Sequence, residues 1–309
     1  MAVAYAITIL ILIASSSKSV FGCYKSIISF GDSLTDTGNF LLLSHPPTRP
    51  HVGVRLTAEL SSAAQQEDSP TAVSSLISLY NFSVSIFSSA ESLGLPLVEP
   101  YAAWKNAAEK RGSFSKGVNF AVAGATALDA TFFDKRGIHN SYSNASLGVQ
   151  LDWFKQFLAR IPDSRKFLKS SLVLMGEIGG NDYNYPIVQG NIDRENIRSF
   201  VPTVVNYIRS IIEELIKLGV KTMLIPGDIQ LGCIPMFLTQ YMTFSKKEDY
   251  NPKTGCLTWL NELSTYHNEL LQKELSRIRQ LHPRIAIIYA DYYNATTGFY
   301  LSPHKFGKF

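Results

Sequence analysis

Short, mainly apolar runs alternate along this chain with longer stretches of helical period. The runs are Lys25–Phe30, Val118–Ala123, Leu172–Met175, Thr222–Ile225 and Ile285–Ala290, each bounded by Gly, Pro, Asp or Asn. Continuous apolar runs of this length, rich in β-branched residues, predict buried strands. Between them, Leu151, Phe154, Leu158 and Ile161 lie three or four apart. Val204, Ile208, Ile211, Leu215 and Leu218 repeat the pattern, and Gly219 stands where a helix stops. Leu260, Leu263, Leu270, Leu271, Leu275, Ile278 and Leu281 predict a third helix, ended by Pro283. Strands apolar on both faces, alternating with amphipathic helices, imply an α/β fold with a mostly parallel sheet between two helical layers. Ligands then sit at the carboxyl ends of the strands. The stretch 51–89 departs from this rhythm. It has Gly53 as its only glycine, and no Lys or Arg falls between Arg55 and Lys105.

The first 22 residues predict a targeting segment. Residues 2–14 are apolar and uncharged, but shorter than the roughly 20 residues a membrane span needs. Polar SSSKS follows, then Val20-Phe21-Gly22 before Cys23, which predicts a signal peptide over 1–22 cut at Gly22/Cys23. Sequons at Asn81, Asn144 and Asn294 agree with a secreted glycoprotein, extracellular or delivered to the vacuole through the secretory pathway. In that compartment Cys233 and Cys256 are placed to close a short loop, which leaves Cys23 over.

Composition narrows the classes. Of 309 residues, 17% are charged and 46% hydrophobic, which excludes a disordered chain. A net charge of +4 with no basic block is no nucleic-acid footprint. No CxxC or HExxH spacing occurs, so no metal site and no cofactor are expected.

Three strand ends carry candidate chemistry. The first strand runs into FGDSLTDTGN, residues Phe30–Asn39. There Ser33 stands exposed at the ligand edge, with Gly31 allowing a tight turn. A helix following it would aim backbone N–H groups at the same space. Alone, such a tripeptide is more often a helix cap. The second is GVNFAVAGAT, where the N–H of Gly124 is unobstructed by a Cβ. The third is MGEIGGNDYN, where Asn181 offers a neutral amide donor suited to an oxyanion. Singly, the last two read as turns.

Together, and in this order, the three blocks resemble those of the GDSL lipases and esterases within the SGNH hydrolases. MGEIGGNDYNYP, LIPGDIQLGCIP, YHNELLQKEL, IIYADYYNA and SPHKFG resemble secreted plant members, nearest the acetylajmalan-esterase-like and sinapine-esterase-like group. The likeness covers residues 24–50 and 91–307, making 23–309 one hydrolase domain with an atypical segment at 51–89. It implies a three-layer α/β/α sandwich. It also implies Ser33 as catalytic nucleophile, with the Ser33 N–H, Gly124 N–H and Asn181 side chain as oxyanion hole. The expected function is hydrolysis of small-molecule carboxylic esters through an acyl-enzyme, without a membrane span or a nucleic-acid partner.

The same resemblance calls for a histidine base oriented by an aspartate three residues earlier, near the C-terminus. None of the six histidines (His45, His51, His139, His267, His282, His304) has Asp at that spacing. A C-terminally truncated domain with impaired turnover is therefore expected. The alternative is a non-catalytic secreted binding protein on the same scaffold. The changed middle and the missing block together point to an altered transcript.

Overall fold

The computed structural model describes residues 24–44, 90, 93–96, 98–106, 114, 116–139, 143–190, 192–302 and 304. The signal segment, Cys23, the Asn81 sequon, His45, His51 and the 51–89 stretch lie outside the described residues. Five strands form one parallel sheet: β1 (Ser26–Ser29), β2 (Gly117–Asn119), β3 (Ser171–Leu174), β4 (Thr222–Pro226) and β5 (Ala286–Ala290). Their order is β2-β1-β3-β4-β5. The connecting helices are α1 (Asn39–Leu43), α2 (Tyr101–Asn106), α3 (Ala130–Asp134), α4 (Leu147–Leu158), α5 (Ser164–Lys169), α6 (Gly180–Gln189), α7 (Arg194–Leu218), α8 (Pro235–Tyr241), α9 (Thr258–Leu281) and α10 (Tyr292–Leu301).

Alternation along the strands divides the core between two layers. Ile28, Val173, Met223 and Ile287 face a large cluster completed by α4, α7 and α9. Ile27, Leu172 and Leu174 face a smaller one with Val98. This is the three-layer α/β/α arrangement. The helices form where the periodicity puts them. In α7 the Asp193 carboxylate accepts the Asn196 N–H at 2.8 Å at the start, and Gly219 closes the end at φ 113°. Its inward stripe of Val204, Ile208, Ile211 and Leu215 is buried. Each such side chain contributes about 1.5–3 kcal/mol through removal from water. Leu281, predicted inward, lies in the last turn of α9 and stays 69% exposed. Cys233 and Cys256 are joined, tying the turn after β4 to the segment before α9.

One predicted strand is cut short. Val118–Ala123 forms ladder pairs only as far as Asn119. There the Asn119 side chain takes over the backbone's partners: its Oδ1 accepts the Ala121 N–H at 2.9 Å and its Nδ2 donates to Thr35 O. The rest of the run peels off as loop towards the sheet edge.

Candidate functional site

The chain leaves β1 in one direction to reach β2 and returns across it to reach β3. The loops after β1 and β3 therefore diverge, opening the crevice where open α/β sheets bind ligands. The β1 loop starts at Gly31, whose φ is +132°. A Cβ there would lie 2.5 Å from Thr35 Oγ1 and 2.9 Å from the Glu177 carbonyl oxygen, so only glycine fits. The Gln150 side chain brackets its peptide, accepting the Gly31 N–H at 2.9 Å and donating to Gly31 O at 2.8 Å. Directly after Ser33 the chain makes a tight turn, and the next helix, α1, starts only at Asn39. Asp32 builds it: its carbonyl accepts from Thr35 and Asp36, and its Oδ1 accepts the Leu34 N–H at 3.0 Å. Ser33 is left exposed at the crest while Asp32 and Leu34 are buried.

Asp36 joins the first block to the second. Its carboxylate caps α1 by accepting from Gly38, Asn39 and Phe40, and takes the Ala123 N–H at 2.8 Å. Gly124 follows at φ +79°, its carbonyl held by the Tyr185 hydroxyl at 2.6 Å. Asp182, in the first turn of α6, joins the third block to the second by accepting the N–H groups of Ala127 (2.7 Å) and Leu128 (2.9 Å). Asn181 closes the assembly. Its Nδ2 donates to Asp32 Oδ2 and to Ala125 O, both at 2.9 Å. One amide thus spans the residue before Ser33 and the residue after Gly124, and all three predicted positions meet at the crevice. Ala125 O only accepts, so Nδ2, not Oδ1, faces it.

Four carboxyl groups are buried around this crest: Asp32, Glu177, Asp182 and Asp228. Burial pushes Asp32 well above the usual carboxylate range, and the neighbouring Glu177 carboxyl, within hydrogen-bonding reach, pushes it further. Glu177 is raised by burial, against the opposing bonds from Asp32 and the Gly180 N–H. Asp182 is raised to about 7, because burial outweighs its two backbone N–H bonds. Asp228 is raised by burial and then by Glu177, with the Ile229 N–H favouring its anion, and neither of its oxygens accepts a well-formed hydrogen bond among the described residues. Among the described residues, no group of three His, Cys, Asp or Glu side chains is arranged to hold a metal ion.

Asp36, Gln150, Glu177 and Asp182 were not singled out by sequence reasoning. Gln150 did leave a signal, being a polar residue beside Leu147, Leu151 and Phe154 on one helix face. Asp36 and Asp182 sit inside the motifs themselves, and only the folded contacts separate their roles from those of Ser33 and Asn181. His267 is 1% exposed, with its Nδ1 2.7 Å from the Tyr183 hydroxyl, and burial lowers it to about 4. It is a core residue. His139 lies exposed 3.7 Å from Asp134, and His282 caps α9. Among the described residues none of these bonds to Ser33.

A turn that exposes Ser33, a glycine corner and a neutral amide lie at the switch point of a parallel α/β/α sheet, where such folds bind ligands. Comparison with known proteins agrees. Residues 27–305 match the GDSL-like lipase/acylhydrolase family. A GDSL esterase/lipase of Arabidopsis thaliana is 48% identical over 288 residues, which is 92% of this chain and 70% of that protein. A second from the same plant is 44% identical over 309 residues, 99% of this chain and 76% of that one. The sinapine esterase of Brassica napus is 43% identical over 304 residues, 96% and 73% respectively. The chain belongs to the GDSL lipase/acylhydrolase family, and by this resemblance it is a serine ester hydrolase. No helix among the described residues is long and apolar enough to cross a membrane.

Proposed function

We propose that this protein is a secreted hydrolase of small carboxylic esters, in which the Ser33 hydroxyl attacks the ester carbonyl. The carbonyl π pair moves onto oxygen, and that oxyanion is met by the N–H groups of Ser33 and Gly124 and the Asn181 amide. Collapse expels the alcohol, which takes up a proton, and water hydrolyses the acyl-enzyme. The observation that carries this reading is the Asn181 amide bridging Asp32 and Ala125, which gathers the three blocks at one point. As the Ser33 oxygen bonds to the carbonyl carbon, the Ser33 proton passes to solvent. Sinapine is the first natural substrate to try, because a relative is named for it.

The test is hydrolysis of p-nitrophenyl acetate and of sinapine by the wild type and by Ser33→Ala. Loss of Ser33-dependent hydrolysis in the variant is expected; equal rates would remove Ser33 from the mechanism. Secretion predicts that the N-terminal residue of the exported protein is Cys23. The absence of a histidine partner for Ser33 among the described residues favours one second reading, a binding protein on the same scaffold. Tight sinapine binding with no hydrolysis over days would establish it.

A further inference from the structure

Both N–H bonds of the Asn181 amide are already engaged, one with Asp32 Oδ2 and one with Ala125 O. An oxyanion needs one of them. Ala125 offers a backbone carbonyl, whose strength as an acceptor does not change with pH. Asp32 offers a carboxyl, and a carboxylate accepts a hydrogen bond roughly twice as strongly as a neutral acceptor. The protonation of Asp32 therefore decides how firmly Asn181 is held.

The surroundings of Asp32 bear on that proton. The Asp32 and Glu177 carboxyls lie within hydrogen-bonding reach of each other. Two carboxylates cannot bond without a proton between them, so the pair titrates as a unit. Glu177 Oε1 is fixed by the Gly180 N–H at 3.1 Å. Behind the pair, in the loop after β4, stands Asp228, 2% exposed and without a well-formed hydrogen bond to either oxygen among the described residues. From α6, Asp182 and Tyr183 add to the acidic surroundings, Tyr183 being tied to the buried His267 of α9. Tyr289 of β5 faces Asp228.

We propose that Asp32 and Glu177 are positioning residues whose shared proton sets whether Asn181 can turn an N–H to the oxyanion. With the proton on the pair, Asp32 is a neutral acceptor and releases the amide to the substrate. When the proton leaves to solvent, Asp32 becomes a carboxylate and holds the amide against itself. Hydrolysis thus falls as pH rises through the titration of the pair. The inference rests on the reading of Asn181 as an oxyanion donor.

The test follows the Asn181 side-chain amide by NMR in the full ¹⁵N-labelled chain, assigned by its disappearance in Asn181→Asp. One Nδ2 proton is expected to move downfield between pH 5 and 9. Glu177→Gln removes the charge that keeps the proton on Asp32, so the transition moves to lower pH; Asp32→Asn abolishes it. Should Glu177→Gln fail to fold, Asp228→Asn gives the same direction with a smaller displacement. A flat titration in the wild type, or an unmoved midpoint in both Glu177→Gln and Asp228→Asn, overturns the inference. Hydrolysis separates the two readings. A flat amide titration with Ser33-dependent hydrolysis overturns the positioning role alone. A moving titration with hydrolysis indifferent to Ser33→Ala overturns the hydrolase reading and, with it, the use of the amide.

Discussion

Two buried polar networks lie side by side at the carboxyl edge of the sheet, and they are built on opposite terms. In the first, Asn39 donates to Asn119 O (2.7 Å) and Ala121 O (2.9 Å) and accepts from Ala102 (2.9 Å). Asn119 bonds Thr35 O, Thr37 Oγ1 and the Ala121 N–H, while Asp36 takes four backbone N–H groups. In the second, Asp32, Glu177 and Asp228 are pressed together with few donors, and among the described residues Asp228 has no partner of good geometry. A fully paired network rigidifies its surroundings, whereas an underpaired one stores an electrostatic cost. The first therefore fixes where the loops go. The second leaves protons to be placed, beside the exposed serine. Structure-bearing and chemistry-bearing polar groups are told apart here by how completely they are paired, not by how deeply they are buried.

The sharpest way to break this contrast is Asn39→Ala. It orphans three buried groups at once, and a loss of about 4 kcal/mol in urea unfolding is expected. A loss below 1 kcal/mol would show that water substitutes readily and that the first network is not architectural. Asp228→Asn acts on the second network with the opposite sign. Carboxyls whose pKa is raised in the fold bind protons more tightly folded than unfolded. Their contribution is full below the unfolded value near pH 4 and is lost as pH rises through the folded values, that of Asp182 being about 7. The wild-type melting temperature should accordingly fall from pH 5 to pH 8. Asp228→Asn, by removing an unpartnered charge, should flatten that fall and add about 2 kcal/mol at pH 8. A melting temperature that rises over this range would contradict the account of the second network. Smallest of all, Phe244→Ser lies outside both networks on a side chain 82% exposed, and should shift stability by no more than about 0.5 kcal/mol. A larger effect would mean that exposure fails as a guide here.

Much of the fold was legible in the chain. The strand cores were read within a residue or two at β1, β3, β4 and β5; β1 and β3 are buried on both faces, as continuous apolar runs imply, whereas β5 was expected buried and leaves Ala286 and Ile288 exposed. The stop at Gly219 followed from the need for a left-handed residue at a helix end. The misread strand has a plain cause. Asn119 ended β2 early through a side chain that bonds to backbone in place of regular structure, as Asp32 does in the turn after β1. Hydrophobic period carries no trace of such bonds. Of the site, the three blocks and their order could be read, but not the clamps that hold them. Asp36 and Asp182 reach Ala123, Ala127 and Leu128 across 54 to 87 positions of sequence.

By itself, then, the order of amino acids determined the layers, the sheet, the family and the candidate nucleophile, because each of these depends on local period or on short motifs. Only the tertiary structure decided that Asn181 is already bonded on both sides, that Asp32 and Glu177 are buried side by side, and that His267 is sealed in the core. Those properties arise from the distances between separate loops, and from the water that burial takes away.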